Sequence, residues 1–532
     1  MDIGTISLIL LLGMLVLLGI GMPLGFASGF LAVAVLVMKF GPDLLFGTFG
    51  TGPLNILAQR MYGLMTDYVI ISVPLFIFMA SLLERSGIAR DMYSSLSTWL
   101  NRTRGGIAIV TAIMAIIMAA MSGIIGGEVV LLGLIALPQM LRLGYNQNLA
   151  IGTICASGSL GTMIPPSIVL IIYGLVTESS IKALFTSAFV PGFMLASFFI
   201  IYIIVRTQLR PHEAPLPEIS DDEPASREKA LLFGTLLLII AGPAATVLLL
   251  RAAVIHLTGQ AVPPEGATET DIALIATSDM IWLGAIAVVS AALLAFAVGA
   301  ERRRMAWDMG KGLVPPLLVV GVVLGSIYGG ITGITEAAGM GVVAVLVLTA
   351  LRGEMSLALV REALMRTFKS TGTILWVTFG ATALAGAYTI AGGPTYVANL
   401  IVGADLPTMG IILVMMLIFL VLGALMDWVG IVLLVMPVFL PIVTRLPVEE
   451  IGYFGTLPAS FVPIWFGVVF TMNMQVSFLS PPFGPAAFYL KSVASPEISL
   501  TDIFRGFLPF ICIQLLALTV LLVWPGITRV FF

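Results

Sequence analysis

Two acidic residues, Glu128 and Asp427, lie inside long apolar stretches of the 532-residue sequence, each after a glycine-containing break. Each is followed ten residues later by a proline, Pro138 in the first case and Pro437 in the second. A carboxylate inside a membrane costs roughly 2.5–3.5 kcal/mol on insertion scales. Two interpretations stay open at both positions: a functional carboxylate, or a cap on the N-terminus of a short helix. The second interpretation also applies to Glu336.

A proline pair interrupts an apolar helical segment after each of these carboxylates. The pairs are Pro165-Pro166 and Pro481-Pro482, and each has serine residues close by. Because proline lacks an N–H and clashes with the preceding turn, each pair predicts a break in the helix. Unwound carbonyls and hydroxyl groups are hard oxygen ligands suited to Na⁺. Half-helix N-termini carry about +0.5 charge each and favour an anion.

The composition indicates that these features belong to a membrane protein. Hydrophobic residues make up 59% of the chain and charged residues only 10%, whereas a soluble domain has about 25% charged residues. This excludes an ordinary soluble enzyme, a disordered protein and a nucleic-acid binder. The two cysteines and two histidines form neither a disulfide framework nor a transition-metal cluster. No nucleophile–base pair is recognisable, so we do not expect an enzyme.

Hydropathy predicts an all-α polytopic fold with twelve crossings, because about 20 apolar residues span a bilayer. Two of the crossings are interrupted, and 89–101 and 355–368 are expected to lie along the membrane surface. The predicted crossings are 5–20, 23–39, 69–84, 148–177, 183–205, 230–250, 280–299, 312–328, 331–351, 370–390, 464–490 and 507–525.

Two further apolar regions, 107–140 and 409–443, do not fit as single crossings. Each is broken near its centre, and each half is too short to cross comfortably at a rise of about 1.5 Å per residue. A re-entrant helical hairpin fits better, since broken backbone at membrane depth needs protein or water to satisfy it. Two short tilted helices are the alternative.

The positive charges orient this arrangement. With the N-terminus outside and each hairpin returning to its own side, 19 of the 25 lysines and arginines fall in inside loops. This follows the positive-inside rule and places both termini on the outside of the membrane. The six cations left outside are Lys39, Arg60, Lys182, Arg251, Arg445 and Arg529.

The hairpin and the interrupted helix occur twice, and the charge-based orientation makes the two copies inverted. Inverted repeats with broken helices at equivalent positions are the best sequence indication of a secondary transporter and its binding site. The segment 206–305, with two extra crossings, stands outside the repeat as an insertion of unassigned role. We predict a scaffold from 1–104 and 306–390, and a transport domain from 105–205 and 391–532.

Several motifs, in order, resemble one family. They are Gly126-Gly127-Glu128-Val129-Val130, Gly158-Ser159-Leu160-Gly161, Ile164-Pro165-Pro166-Ser167, Val190-Pro191-Gly192, Trp465-Phe466-Gly467, Ser480-Pro481-Pro482-Phe483-Gly484 and Phe488-Tyr489-Leu490-Lys491. The chain resembles the large, DctM-like membrane subunit of tripartite ATP-independent periplasmic (TRAP) transporters over about 1–205 and 306–525. It departs from the family in its longer insertion, and in reading Ile334-Thr335-Glu336-Ala337 where the family often has Pro-Thr-Glu-Ala.

The resemblance implies a sodium-coupled importer in the bacterial inner membrane, with an inverted-repeat elevator fold. It also implies a small membrane (Q-type) subunit and a periplasmic substrate-binding (P-type) protein that delivers an organic anion, usually a carboxylate.

We expect two sodium sites, bound mainly through carbonyls. The first comprises Ser122, Gly161, Ile164 and Pro166, and the second comprises Gly423, Asn473, Gln475 and Ser480. The residues expected to contact the substrate are Ser159, Thr162, Ser477, Gly127 and Asp427. None of the lysines and arginines lies at a break in the sequence, so helix N-termini and bound cations are expected to meet the anion.

Two other functions remain possible on the sequence alone. One is a stand-alone cation-coupled carrier of related fold, which would transport free substrate without a binding protein. The other is a structural or signalling membrane subunit, which would show no flux although folded and assembled. The sequence leaves open the substrate, Na⁺ against H⁺ coupling, and the oligomeric state.

Overall fold

The structure is a computed structural model that describes residues 1–45, 52–123, 126–217, 224–258, 277–403, 406–423, 428–482 and 484–532. Helix accounts for 83% of it, and these described ranges contain no strand. Among them, nine helices are long and apolar enough to cross a membrane. The all-α polytopic fold class is therefore confirmed.

The first half of the chain supplies ten helices. In chain order they are α1 (Ile3–Gly19), α2 (Leu24–Phe40), α3 (Pro53–Met65), α4 (Ser72–Arg85), α5 (Ile88–Leu100), α6 (Gly106–Ser122), α7 (Gly127–Arg142), α8 (Gln147–Ser159), α9 (Ile168–Thr177) and α10 (Ile181–Leu209). The insertion adds α11 (Ser226–Thr258) and α12 (Thr277–Ala292), and α13 (Ala300–Gly310) runs past its predicted end at residue 305.

The second half repeats the pattern of the first. Its helices are α14 (Val314–Tyr328), α15 (Ile334–Leu351), α16 (Leu357–Ala391), α17 (Gly393–Val402), α18 (Thr408–Gly423), α19 (Trp428–Val443), α20 (Val462–Leu479), α21 (Pro485–Lys491) and α22 (Leu500–Val523).

Both predicted hairpins are pairs of helices separated by a short break. The first pair is α6 and α7 and the second is α18 and α19, and within each pair the two arms pack on each other. Each arm has 16 or 17 residues, which gives it a length of about 25 Å, short of the hydrocarbon core of about 30 Å.

Both interrupted helices are also present. After α8 the chain makes one short 3-10 turn and restarts as α9, and after α20 it restarts as α21. The Pro165-Pro166 and Pro481-Pro482 peptide bonds, which lie in these two breaks, are both cis. Proline accounts for both breaks because it cannot donate the helical hydrogen bond.

One predicted surface segment is absent as a separate element. Residues 355–368 do not form their own surface helix, because α16 runs without a break for 35 residues from Leu357 to Ala391. At a rise of about 1.5 Å per residue, α16 is longer than a bilayer core and extends beyond it. The predicted surface segment 89–101 does correspond to a separate helix, α5.

The two halves pack on each other in matched pairs. Helix α2 packs on α16, while its counterpart α15 packs on α4. The second hairpin arm α19 packs on the half-helix α9, while α7 packs on α21. Helix α22 packs on α8, while α10 packs on α20. Each half therefore contributes helices that pack against the interrupted helix of the other half.

The insertion attaches to the first and second halves through α11. Lys229 of α11 donates to the Thr98 carbonyl at 3.0 Å, and Trp99 packs edge-on against Phe233 with ring centroids 5.5 Å apart. Near the other end of α11, Arg251 donates to the Gly329 carbonyl at 3.0 Å. Helix α12 packs against α11, and only 6% of the apolar residues 280–297 is buried. The insertion thus broadens the side of the molecule formed by α5 and α14.

Candidate ion and substrate site

The break in the first hairpin lies against the first interrupted helix. The Ile168 N–H, at the start of α9, donates to the Gly123 carbonyl at 3.2 Å. Gly123 has φ of +61° and lies so close to the Pro166 carbonyl that a side chain would collide with it. The structure therefore brings together Ser122 and Pro166, two members of the first predicted sodium site, at the junction of these breaks.

Ser122 and Glu128 face each other across the break in the first hairpin. The Ser122 hydroxyl donates to Glu128 Oε1, and both residues are only 1% exposed. The residue that caps α7 is Gly126, which has no side chain to do so. The Glu128 side chain therefore makes its hydrogen bond to the serine, and its other oxygen, Oε2, has no protein partner.

A buried polar network joins the two halves at the first interruption. Gln475 of α20 donates through Nε2 to Thr162 Oγ1, and Gln514 of α22 donates through Nε2 to Ser159 Oγ at 3.4 Å. Thr162 in turn donates to the Ser159 carbonyl at 3.1 Å. All four side chains are at most 1% exposed. The predicted substrate residues Ser159 and Thr162 thus lie together, and in contact with the second half.

The second predicted sodium site is only partly assembled by side-chain contacts. Gly423 packs directly on Ser477, and Asn473 donates from Nδ2 to the Met416 carbonyl of α18 at 3.0 Å. Ser480 donates to the Val476 carbonyl at 2.8 Å, a local bond within its own helix. The Gln475 side chain is bonded to the first interruption, as described above, so it links the two predicted sites.

Several buried oxygen atoms around these breaks have no hydrogen-bond partner within the protein. Buried polar atoms normally have one, so each of these oxygens has an acceptor position left for water or a ligand. They are Glu128 Oε2, Asn473 Oδ1, Gln475 Oε1, Gln514 Oε1, Thr153 Oγ1 and Ser157 Oγ. Oxygen ligands of this type suit a hard cation such as Na⁺. Among the described residues, no group of His, Cys, Asp and Glu could hold a transition metal.

The other predicted site residues are placed as follows. Gly161 and Ile164 lie in the first break, where Met163 and Ile164 contact Gly192 of α10. Gly127 opens α7, beside Glu128. Asp427 lies outside the described residues. Glu336 lies in the first turn of α15 and accepts a hydrogen bond from the Tyr68 hydroxyl at 3.0 Å.

Two residues near the site were not found from the sequence. Gln514 lies in the middle of an apolar helix, and only its contact with Ser159 identifies it. Arg366 of α16 pairs with Glu84 of α4, and this ion pair meets the tip of the first hairpin. A methyl group added to Gly127 would lie 2.8 Å from Arg366 Nη2 and still closer to Glu84 Oε1. No lysine or arginine lies at a break in the sequence, but the packing of α16 brings Arg366 next to the first residue of α7.

Comparison with known proteins identifies one family of membrane transporters. The sequence profile of the family described as tripartite ATP-independent periplasmic transporter, DctM component, matches residues 11–527. The C4-dicarboxylate TRAP transporter large permease protein DctM of Pseudomonas aeruginosa is 24% identical over 501 residues, which is 94% of this chain and 92% of that protein.

A second relative has a different named substrate. The ectoine/5-hydroxyectoine TRAP transporter large permease protein UehC of Ruegeria pomeroyi is 25% identical and covers 91% of this chain and 90% of its own. Among solved structures, the YdaH transporter of Alcanivorax borkumensis aligns with a TM-score of 0.49 and 16% identity, over 94% of this chain and 97% of that one.

Proposed function

Because the chain belongs to the DctM component family of tripartite ATP-independent periplasmic transporters, we propose that it is the sodium-coupled importing subunit for an organic anion. Membership of this family implies a transporter permease that works with a substrate-binding protein and a small membrane subunit. We further propose Na⁺ as the coupling ion, an organic anion as the substrate, the bacterial inner membrane as the location and an elevator movement as the mechanism.

The main structural support for this proposal is the group of oxygen-bearing side chains where the two halves meet. Ser122 and Glu128 at the first hairpin adjoin the first interruption, whose Thr162 is bonded to Gln475 of the other half. Buried oxygens without a protein partner on these elements include Glu128 Oε2 and Gln475 Oε1. A site built from both halves in this way suits a cation and an anion that are bound together.

The coupling ions proposed are two or more Na⁺. The first would be held by Ser122 and by the backbone carbonyls of Gly161, Ile164 and Pro166. The second would be held near Gly423, Asn473 and Ser480, with Gln475 between the two. Bound cations and the N-termini of α7 and α9 would supply the positive charge that the anion needs, since both helices begin at this junction.

The substrate proposed is an organic anion, and a carboxylate is the favoured class. The named relatives differ in substrate, C4-dicarboxylate in one case and ectoine in the other. In the proposed cycle the P-type binding protein delivers the anion from the periplasm, and the domain that carries both hairpins moves past the scaffold to the cytoplasmic side. The Q-type subunit would lie against the scaffold.

Uptake into proteoliposomes tests this proposal. The chain is reconstituted with its small subunit, and uptake of labelled carboxylates, succinate first, is measured under an inward sodium gradient with and without the binding protein. We expect uptake only when the binding protein is present. Uptake of free substrate at the same rate without it would identify a stand-alone carrier instead, and no flux from the folded, assembled complex would identify a non-transporting subunit.

A further inference from the structure

A cationic cavity lies beside the tip of the first hairpin. It has a volume of about 590 Å³, and four of its eight lining residues are lysine or arginine. The lining residues are Arg85, Ala358, Arg361, Glu362, Met365, Arg366, Lys369 and Ser370. We call it the exit vestibule, because the distribution of lysine and arginine assigns this side of the molecule to the cytoplasm.

The vestibule lies where α4 ends and α16 begins. Its residues from α16 recur at intervals of three and four, so they form one face of that helix. Arg85 is the last residue of α4. Because the first turns of α16 carry Arg361, Glu362, Arg366 and Lys369, we place them outside the membrane core, with the vestibule open to water there. Its other end meets the first hairpin at Gly127.

Arg366 is the residue that connects the vestibule to the hairpin tip. It pairs with Glu84, whose side chain is 10% exposed, while the Arg366 side chain is 40% exposed. The same pair contacts Gly127, the first residue of α7. A second pair, Arg85 with Glu362, lies in the same vestibule but is more exposed, at 36% and 59%.

We propose that the exit vestibule binds the carboxylate group of the transported anion, that Arg366 is the binding group, and that Glu84 competes with the anion for it. This inference rests on the proposed function and adds a residue and a step to it. The step follows release from the hairpin tip and precedes escape into the cytoplasm.

The geometry explains why binding there would be weak. An arginine binds a carboxylate through paired charge-assisted hydrogen bonds, so Arg366 suits the anion. An anion that takes Arg366 leaves the largely buried Glu84 carboxylate without its partner, and an unpaired charge with little access to water is costly. Glu84 therefore lowers the affinity of the vestibule, and low affinity on the cytoplasmic side favours release over rebinding.

The test measures binding in the vestibule without requiring transport. Ser370, which lines the cavity, is replaced by cysteine in a Cys512→Ser background, and the assembled transporter is placed in lipid nanodiscs. The rate of modification by a negatively charged methanethiosulfonate reagent is followed as succinate is added, with the uncharged succinamide as control. The comparison is made in otherwise wild-type protein and in Glu84→Gln, Arg366→Gln and the double variant.

The proposal predicts how the protecting concentration of succinate differs among the variants. Succinate should protect the cysteine in the Glu84→Gln protein at a concentration about tenfold lower than in wild type, which corresponds to about 1.4 kcal/mol. Arg366→Gln and the double variant should show no protection, and succinamide none in any variant. The double variant carries no unpaired buried charge, so it separates loss of binding from misfolding. Arg85→Gln, in the exposed pair, should change the protecting concentration much less.

Three results would overturn the proposal. One is equal protection by succinate in all variants, and another is no protection in the Glu84→Gln protein. The third is protection that occurs only in anionic lipid nanodiscs and does not depend on succinate, which would show that a lipid headgroup fills the vestibule. If the test fails while sodium-driven uptake persists, the vestibule proposal falls and the proposed function stands. If succinate protects the cysteine but no uptake occurs, anion binding in the vestibule stands and the proposed function falls.

Discussion

Among individual residues, a few buried polar side chains define the site, because the apolar helices around them cannot satisfy all of their hydrogen bonds. Glu128 uses one oxygen to accept from Ser122 and leaves the other without a protein partner. Gln475 and Gln514 are fully buried and reach across from the second half to Thr162 and Ser159. Burying a polar atom without a hydrogen-bond partner costs about 1–3 kcal/mol. We therefore expect the unpaired oxygens of these side chains to bind the transported ion or anion.

Replacing Ser122 by alanine should weaken sodium coupling. The substitution removes a hydroxyl ligand and leaves Glu128 with no hydrogen bond at either oxygen. We expect the sodium concentration for half-maximal uptake to rise by about tenfold, corresponding to the loss of about 1.4 kcal/mol. Initial uptake rates measured across a sodium titration provide the readout.

A matched control is Ser197→Ala. This serine, on α10, is exposed and donates to the carbonyl of Phe193 in its own helix. Its sodium titration should coincide with that of the wild type. If Ser122→Ala, and likewise Ser480→Ala, also leave the sodium titration unchanged, the assignment of the two sodium sites is wrong.

At the scale of elements, close helix crossings depend on glycine where two backbones meet. Gly380 of α16 lies against the backbone of Gly25 in α2, so closely that a Cβ would overlap the Gly25 carbonyl. Small residues at helix interfaces permit such approaches in membranes. The α2–α16 crossing ties the start of one half to the middle of the other, so it fixes how the first and second halves of the predicted scaffold meet.

Gly380→Ala should therefore destabilise the protein. Backbone atoms cannot move aside as a flexible side chain can, and overpacking of this kind costs about 1–3 kcal/mol. Gly372→Ala in the same helix is the control, because a Cβ there meets nothing within 4 Å. The control should be neutral, or stabilising by up to about 1 kcal/mol, since alanine is the better helix former. Thermal unfolding in detergent compares the two, and equal midpoints would contradict the close crossing.

A polar junction ties the turn before α5 to the turn before α16. Arg352 hydrogen-bonds to Glu354 at 2.8 Å, and the Gly87 N–H donates to the same carboxylate at 3.0 Å. The Arg352 bond, with a smaller contribution from Gly87, holds the pKa of Glu354 below its ordinary value despite partial burial. Arg352 also pairs with Asp91 of α5.

This lowered pKa gives a pH-dependent contribution to stability. A carboxylate whose pKa is depressed by folding stabilises the protein above its unfolded pKa and loses that effect as the pH falls through the folded value. The thermal midpoint of wild type should exceed that of Glu354→Gln at neutral pH, and the gap should close as the pH falls below about 4.5. The effect should be small because the carboxylate is partly exposed. A gap that widens in acid would show that the pKa is raised instead.

The elements were largely predictable from the sequence, and the contacts at the site were not. Apolar run length and the two proline pairs predict the helices, hairpins and interruptions, because these follow from local chain chemistry. The segment 355–368 was assigned wrongly because its charges resemble those of a surface helix, whereas nothing local ends α16. The positions of Arg366 and Gln514 at the site were not predictable, because each reaches it only through packing between residues far apart in the sequence.

At the scale of the whole molecule, the two halves complete each other. Helix α19 of the second hairpin packs on the half-helix α9, and α7 of the first hairpin packs on α21. The site at the first interruption is finished by Gln475 and Gln514 of the other half. Neither half could therefore form the site by itself, which fits a single cycle in which both hairpins take part. The insertion stays on the outside of this arrangement.

We propose that a sodium gradient drives anion import through this junction. The most direct measurement is accumulation of labelled succinate in proteoliposomes that hold the chain and its small subunit, with the binding protein outside. We predict accumulation above equilibrium that is abolished by a sodium ionophore and survives a protonophore. Accumulation that survives the sodium ionophore but is abolished by the protonophore would contradict the claim and identify H⁺ as the coupling ion.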